Sequence, residues 1–244
     1  LSFIANATPS INNKGEIVFK VISNGEEGLQ GIWVKTAADQ NGKILYTASS
    51  DFVITDPVIN DHQNIVFSLF DDMHSEGVFI LNANDQKVSQ IIDSKKYKLD
   101  FYTYPFISNK DEIYFRGTNR ANDRSIYHFV KDLDSIVDEG DDVNGSTPSY
   151  IFRPAVNQKG QIAFKMRMGK KGAWDDSNPD QIVLYSPSND PSVPASMTAI
   201  AVDYDFDKNS HFKSFLNSVG ISNEGHVTFV SLMDDGRLQL NLLN

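Results

Sequence analysis

Oxygen-bearing side chains at alternate positions are the commonest basis of a hard-cation site, and one stretch of this chain has them. Asp203-Tyr-Asp205-Phe-Asp207-Lys-Asn209 places an oxygen at every second residue, as a calcium loop does. The turn-forming Gly and the distal bidentate Glu of such loops are replaced by Lys208 and Ser214, so a solvated acidic loop is the competing reading. Glycoside hydrolysis needs two carboxylates flanking the scissile bond, and Asp56 and Asp100 are the pair offered for that role. Asp56, Tyr104 and Arg153 combine an acid, a phenol and a guanidinium suited to a small polar ligand or glycan. Trp174, in the irregular stretch 168–179, adds a flat ring able to stack on a sugar or on a partner's side chain. His62, His74, His128, His211 and His226 have no ligand spacing, which argues against zinc. The absence of cysteine removes thiolate ligands, thiol nucleophiles and disulfides.

The elements that must position these groups are set by a fivefold repeat. Pro9-Ser-Ile-Asn-Asn-Lys-Gly15-Glu-Ile-Val-Phe19 returns at Pro57, Pro105, Pro154 and Val219, mostly at a period of about 48 residues, the length of a four-stranded propeller blade. Each copy keeps an apolar residue two positions in (Ile11, Ile59, Ile107, Val156, Ile221) and ends in phenylalanine (Phe19, Phe67, Phe115, Phe164, Phe229). Alternation directs Ile17 and Phe19 to one strand face, with Glu16, Asn64, Glu112, Gln161 and His226 on the other. Asn12-Asn-Lys-Gly15 and its copies predict a hairpin turn whose last residue takes a positive φ; Gln63 and Asp111 hold that position in copies two and three. Gly220-Ile-Ser222 therefore belongs to the repeat turn and is not a nucleophile elbow.

Two further strands follow in each copy, for example Gly31–Val34 and Ile44–Tyr46, so the expected architecture is an all-β, five-bladed β-propeller over residues 1–244 as a single domain. The fifth copy reaches Asn244 after its third strand. The last blade is thus either incomplete or closed by the N-terminal stretch Leu1–Ala5. The residues just before each repeat, Thr8, Asp56, Tyr104, Arg153 and Ser218, are expected to ring the channel mouth, where propeller ligands bind.

Copy four, Asn157-Gln-Lys-Gly160-Gln-Ile-Ala163-Phe164 preceded by Asp138-Glu-Gly140-Asp141, resembles the N-x-x-G-x-x-A-F tandem-repeat proteins of bacteria; the other copies replace Ala with Val18, Val66, Tyr114 or Thr228. That resemblance implies a secreted or envelope-associated propeller of largely unassigned function and supplies no catalytic residues. The expected function is a binding or interaction module for a glycan, a small polar ligand or a protein partner. A five-bladed glycoside hydrolase and a ligand-free structural repeat are the alternatives. Lys and Arg number 22 against 32 Asp and Glu, a formal charge of −10, which disfavours nucleic acid as a partner. No run of about 20 apolar residues suggests a membrane span.

Overall fold

The computed structural model describes residues 3–4, 8–23, 28–39, 41–72, 74–143, 145–173, 175, 178–188, 190 and 192–243. Trp174 lies outside these residues, as do Ala5 and Asn144. The strands form five antiparallel sheets. The first contains β1 (Phe3–Ile4), β2 (Ser10–Ile11), β3 (Ile17–Ser23), β4 (Gln30–Lys35) and β5 (Lys43–Thr47). The second contains β6 (Val53–Ile54), β7 (Val58–Ile59), β8 (Asn64–Phe70), β9 (Ser75–Asn82) and β10 (Val88–Asp93), followed by a single helical turn, α1 (Ser94–Tyr97). The third is β11 (Leu99–Ile107), β12 (Ile113–Asn119), β13 (Arg124–Phe129) and β14 (Leu133–Asp138). The fourth is β15 (Pro148–Ile151), β16 (Ala155–Val156), β17 (Ile162–Met168), β18 (Asp180–Ser186) and β19 (Ser196–Val202). The fifth is β20 (Phe212–Ile221), β21 (Val227–Met233) and β22 (Leu238–Leu243). Among the described residues no helix is long and apolar enough to cross a membrane.

The expected repeat boundaries coincide with these sheets, but the first strand of each is interrupted. In the first, second and fourth sheets it is split into two short pieces, and in the third and fifth it bulges between Thr103 and Phe106 and between Phe215 and Val219. Prolines 9, 57, 105 and 154 sit at this break, where a residue with no N–H to donate is tolerated. The N-terminal strand does not complete the last sheet. Phe3 and Ile4 pair with Ser23 and Ile22 in the first sheet, and among the described residues the last sheet has three strands.

The chain divides into two compact units, Leu1–Ala121 with Tyr127–Asp134, and Asn122–Ile126 with Ser135–Asn244. Within the first, Val18, Ile32 and Val34 pack against Ile59, Ile65 and Phe67. Val66 and Val78 pack against Ile107, Ile113 and Phe115. Within the second, Ala163 and Ile182 meet Phe215, Val227 and Phe229. Phe67, Phe115 and Phe229 thus fill the space between neighbouring sheets, as the alternation predicts.

The turns carry a second set of contacts that join one sheet to the next. Oδ1 of Asn60 accepts from the backbone N–H groups of His62 and Asn64, which closes its own turn, while its Nδ2 donates to the Ser108 carbonyl at 2.9 Å. Asn12 reaches the Asn60 carbonyl in the same way, and Asn157 the Ser222 carbonyl. Ser108 and Ser222 close their own turns through the hydroxyl, having no amide with which to reach onward. Gln63 and Asp111 adopt φ of 63° and 61° where the other copies use glycine. Their side chains offset this strain: Gln63 donates to Glu16, and Asp111 accepts from Asn60, Asn64 and His62. Glu16, on the strand face opposite Ile17 and Phe19, is buried by these contacts.

Candidate functional site

The residues one and three places after the repeat phenylalanine of the fourth sheet are Lys165 and Arg167. Strand alternation puts both on the face of β17 that carries Ala163, toward the fifth sheet. The β17–β18 register sets Arg167 opposite Asp180, and the guanidinium grips that carboxylate through two bonds of 2.8 and 3.0 Å. Nζ of Lys165 approaches the second Asp180 oxygen to 2.7 Å and also donates to the Phe215 carbonyl and to Asn217 Oδ1. Both cations lie over the ring of Phe152, at 4.5 and 5.4 Å from its centroid. All three charged side chains are buried.

Asp203 follows β19 and extends its ladder: its backbone N–H donates to the Asp180 carbonyl, and its carboxylate accepts from the N–H groups of Asp180 and Phe206. Burial pushes the Asp203 carboxyl above the usual range, and the neighbouring charges of Asp180 and Asp205 add to that rise against the two N–H bonds. These groups floor a cleft of about 450 Å³ that is also lined by Asp205, Lys213, Ser214, Phe215, Leu216 and Asn217. That volume lies in the range of small-molecule sites. Its lining matches three cations to three carboxylates, with an amide, a hydroxyl and two apolar side chains beside them.

The structure brings Asp203 and Asp205 into this cleft, but not as a calcium loop. Asp205 pairs with Lys208 at 3.1 Å, and Asp207 accepts from the N–H and side-chain amide of Asn209. Asp203 and Asp207 cap turn N–H groups and Asp205 faces Lys208, where a calcium loop would converge these oxygens. Among the described residues no group of three or more His, Asp or Glu side chains is arranged to hold a metal.

The other expected site residues stand elsewhere. In the first unit, Asp56 faces Lys20 at 4.0 Å and Asp100 faces Arg120 at 3.9 Å. Each carboxylate is thus matched with its own cation, and neither lines the cleft. Tyr104 is exposed at a positive φ of 56° on the bulge of β11, with the Arg116 guanidinium 5.1 Å from its ring centroid. In the second unit Arg153 and Ser218 are exposed, next in sequence to Phe152 and Asn217. The residues that sequence reasoning missed are Lys165, Arg167 and Asp180. Their one available signal is the position after the repeat phenylalanine, which is Lys20, Arg116 and Lys165 in three copies. Lys20 likewise donates to an inner-strand carbonyl of the next sheet, that of Ile54.

No protein-family model matches this sequence, and no curated protein matches it. Solved structures do. An oligogalacturonate lyase in complex with manganese superposes with a TM-score of 0.67 at 10% identity, covering 99% of this chain and 65% of its own. The β-propeller domain of the Trilobed protease from Pyrococcus furiosus gives 0.66 at 18% identity, covering 100% and 70%. The fold is that of a β-propeller domain. An oligogalacturonate lyase from Vibrio parahaemolyticus gives 0.64 at 10%, covering 98% and 65%. This chain therefore spans about two thirds of the propellers it resembles, and at such identities the likeness concerns the fold alone.

Proposed function

We propose that this propeller is a binding module whose ligand site is the polar cleft of the second unit, and that the ligand is a small polyhydroxylated molecule, a saccharide in the first instance. The observation that carries this reading is the balance of the lining. Each sugar hydroxyl both donates and accepts, so a saccharide is served by ammonium and guanidinium donors interleaved with carboxylate and amide acceptors. Lys165, Arg167, Lys213, Asp180, Asp203, Asp205, Ser214 and Asn217 provide that mixture without a large excess of either charge. Phe215 and Leu216 add apolar surface for the C–H faces of a ring. Five sheets read as five blades, and a secreted or envelope setting follows from the repeat resemblance; fractionation of the producing cells tests that setting.

The test is titration of the purified chain with a panel of neutral and acidic oligosaccharides, each hit being followed by an assay for released reducing ends or unsaturated products. Lys213→Ala and Asp205→Ala, both at the cleft rim, are expected to weaken binding about tenfold or more, a loss of one or two charged hydrogen bonds, with the melting temperature unchanged. Binding indifferent to both variants would exclude the cleft. Product release would replace recognition with catalysis.

A further inference from the structure

The turn that supplies Asp203 and Asp205 to the cleft carries a second kind of side chain between them. Tyr204 and Phe206 alternate with the carboxylates and are 47% and 44% exposed. The backbone fixes where these residues stand. The Tyr204 N–H donates to the Phe212 carbonyl at 2.7 Å, which ties the start of the turn to the first residue of β20. The N–H groups of Phe206 and Asp207 return to the Asp203 carbonyl at 3.2 and 3.0 Å, and the Asp203 carboxylate takes the Phe206 N–H as well, at 3.0 Å. The carboxylate on the cleft floor and the aromatic residues are thus carried by one closed turn. The Tyr204 ring is also held by its side-chain neighbour. Nζ of Lys208 lies 4.3 Å from the ring centroid and 3.1 Å from Oδ1 of Asp205, so a single ammonium joins the ring to a carboxylate that lines the cleft.

A sugar ring carries hydroxyls at its edge and C–H groups on its faces. The hydroxyls call for the charged and amide groups of the cleft, whereas a C–H face is best taken from water by a flat aromatic ring. A site made of polar groups alone holds one unit and gains nothing from the next; a site that continues onto exposed rings rewards a longer chain. On the reading that the cleft binds a saccharide, we propose that its ligand is an oligosaccharide: one unit sits among Asp205, Lys213 and Asn217, and the adjoining unit stacks on Tyr204 and Phe206. The cleft then selects the hydroxyl pattern of the unit it holds, and the turn selects chain length.

Calorimetric titration of the intact chain with β-1,4-linked glucose oligomers and β-1,4-linked mannuronate oligomers of one to four units, a neutral and an acidic series, tests this. In whichever series it accepts, wild type should bind the two-unit member about fivefold to tenfold more tightly than the one-unit member. Tyr204→Ala and Phe206→Ala each remove a side chain that is largely in water and should leave the melting temperature unchanged. Each should bring the ratio of two-unit to one-unit affinity toward one, whereas Tyr204→Phe keeps the flat ring and should keep the wild-type ratio. Lys213→Ala should instead weaken both lengths together and leave the ratio as it was. A wild type indifferent to length, or a ratio that survives both alanine variants, would overturn the proposal while leaving the cleft as the site. Absence of binding by every member of both series would overturn it together with the saccharide reading.

Discussion

Replacing Asn60 separates the two tasks assigned to the repeat asparagine. Asn60→Ser keeps an oxygen for the N–H groups of His62 and Asn64, as Ser108 does naturally, but loses the donations to the Ser108 carbonyl and to Asp111 at 2.9 and 2.7 Å. One neutral bond is worth about 1 kcal/mol and one to a carboxylate about 1.5 to 3. Ser108 O retains the Asp111 N–H and Asp111 retains Asn64, so the net cost should be about 2 kcal/mol. Asn60→Ala also strands the part-buried N–H groups of His62 and Asn64 and should cost about 4 kcal/mol. Trp33, stacked on Phe19 in the first sheet, reports this unit once Trp174 is changed to Phe. In urea the Ser variant should lower the midpoint by roughly 1 M and the Ala variant by about twice that.

The effect has a pH signature. Burial acts to raise the Asp111 carboxyl, but bonds from Asn64, Asn60 and His62 together hold it below the usual range. Its stabilisation is therefore full above the unfolded value near 4 and disappears as pH falls through the lower folded value. The gap between wild type and Asn60→Ser should narrow over that acid window. Equal stability of wild type and the Ser variant would refute the inter-sheet role, and equal stability of Ser and Ala would refute the turn role.

Asp180→Asn leaves Lys165 and Arg167 buried without their carboxylate and should cost about 3 to 5 kcal/mol, whereas Lys165→Met preserves one matched pair and should cost less; thermal unfolding gives the order. Gly77 has φ of 136° and an added Cβ would lie 1.9 Å from the Ile92 carbonyl oxygen, so Gly77→Ala should destabilise by at least about 3 kcal/mol, read in the same Trp33 melts. Millimolar calcium should leave the melting temperature unchanged, since the Asp203 oxygens already serve two N–H groups; a rise of several degrees would reinstate the loop as a metal site.

The five copies, their turns and the inter-sheet phenylalanines were legible because each rests on a local period that one strand or turn expresses by itself. The partners of the carboxylates were not legible, because they are set by how strands and sheets pair: Asp56 comes beside Lys20 of the first sheet, and Asp100 of β11 beside Arg120, which follows β12. Nothing in the local pattern marks Lys165 and Arg167 as buried; the pairing of β17 with β18 sets Asp180 beside them and allows it. In the alternation Asp203-Asp205-Asp207, the roles of the oxygens are set by the turn itself: Asp203 and Asp207 cap N–H groups and Asp205 faces Lys208.

The asparagine amides also set an order of mechanical yielding. The second sheet is tied on both sides, through Asn12 on one and Ser108 with Asp111 on the other, while among the described residues β22 is paired along one edge, with β21. Coupling between nearest neighbours makes a repeat chain come apart from its least-held member inward. Under tension or in deuterated solvent, β22 should surrender its amides first and the buried core of β8 last, so damage at one repeat spreads to its neighbours before it reaches the rest.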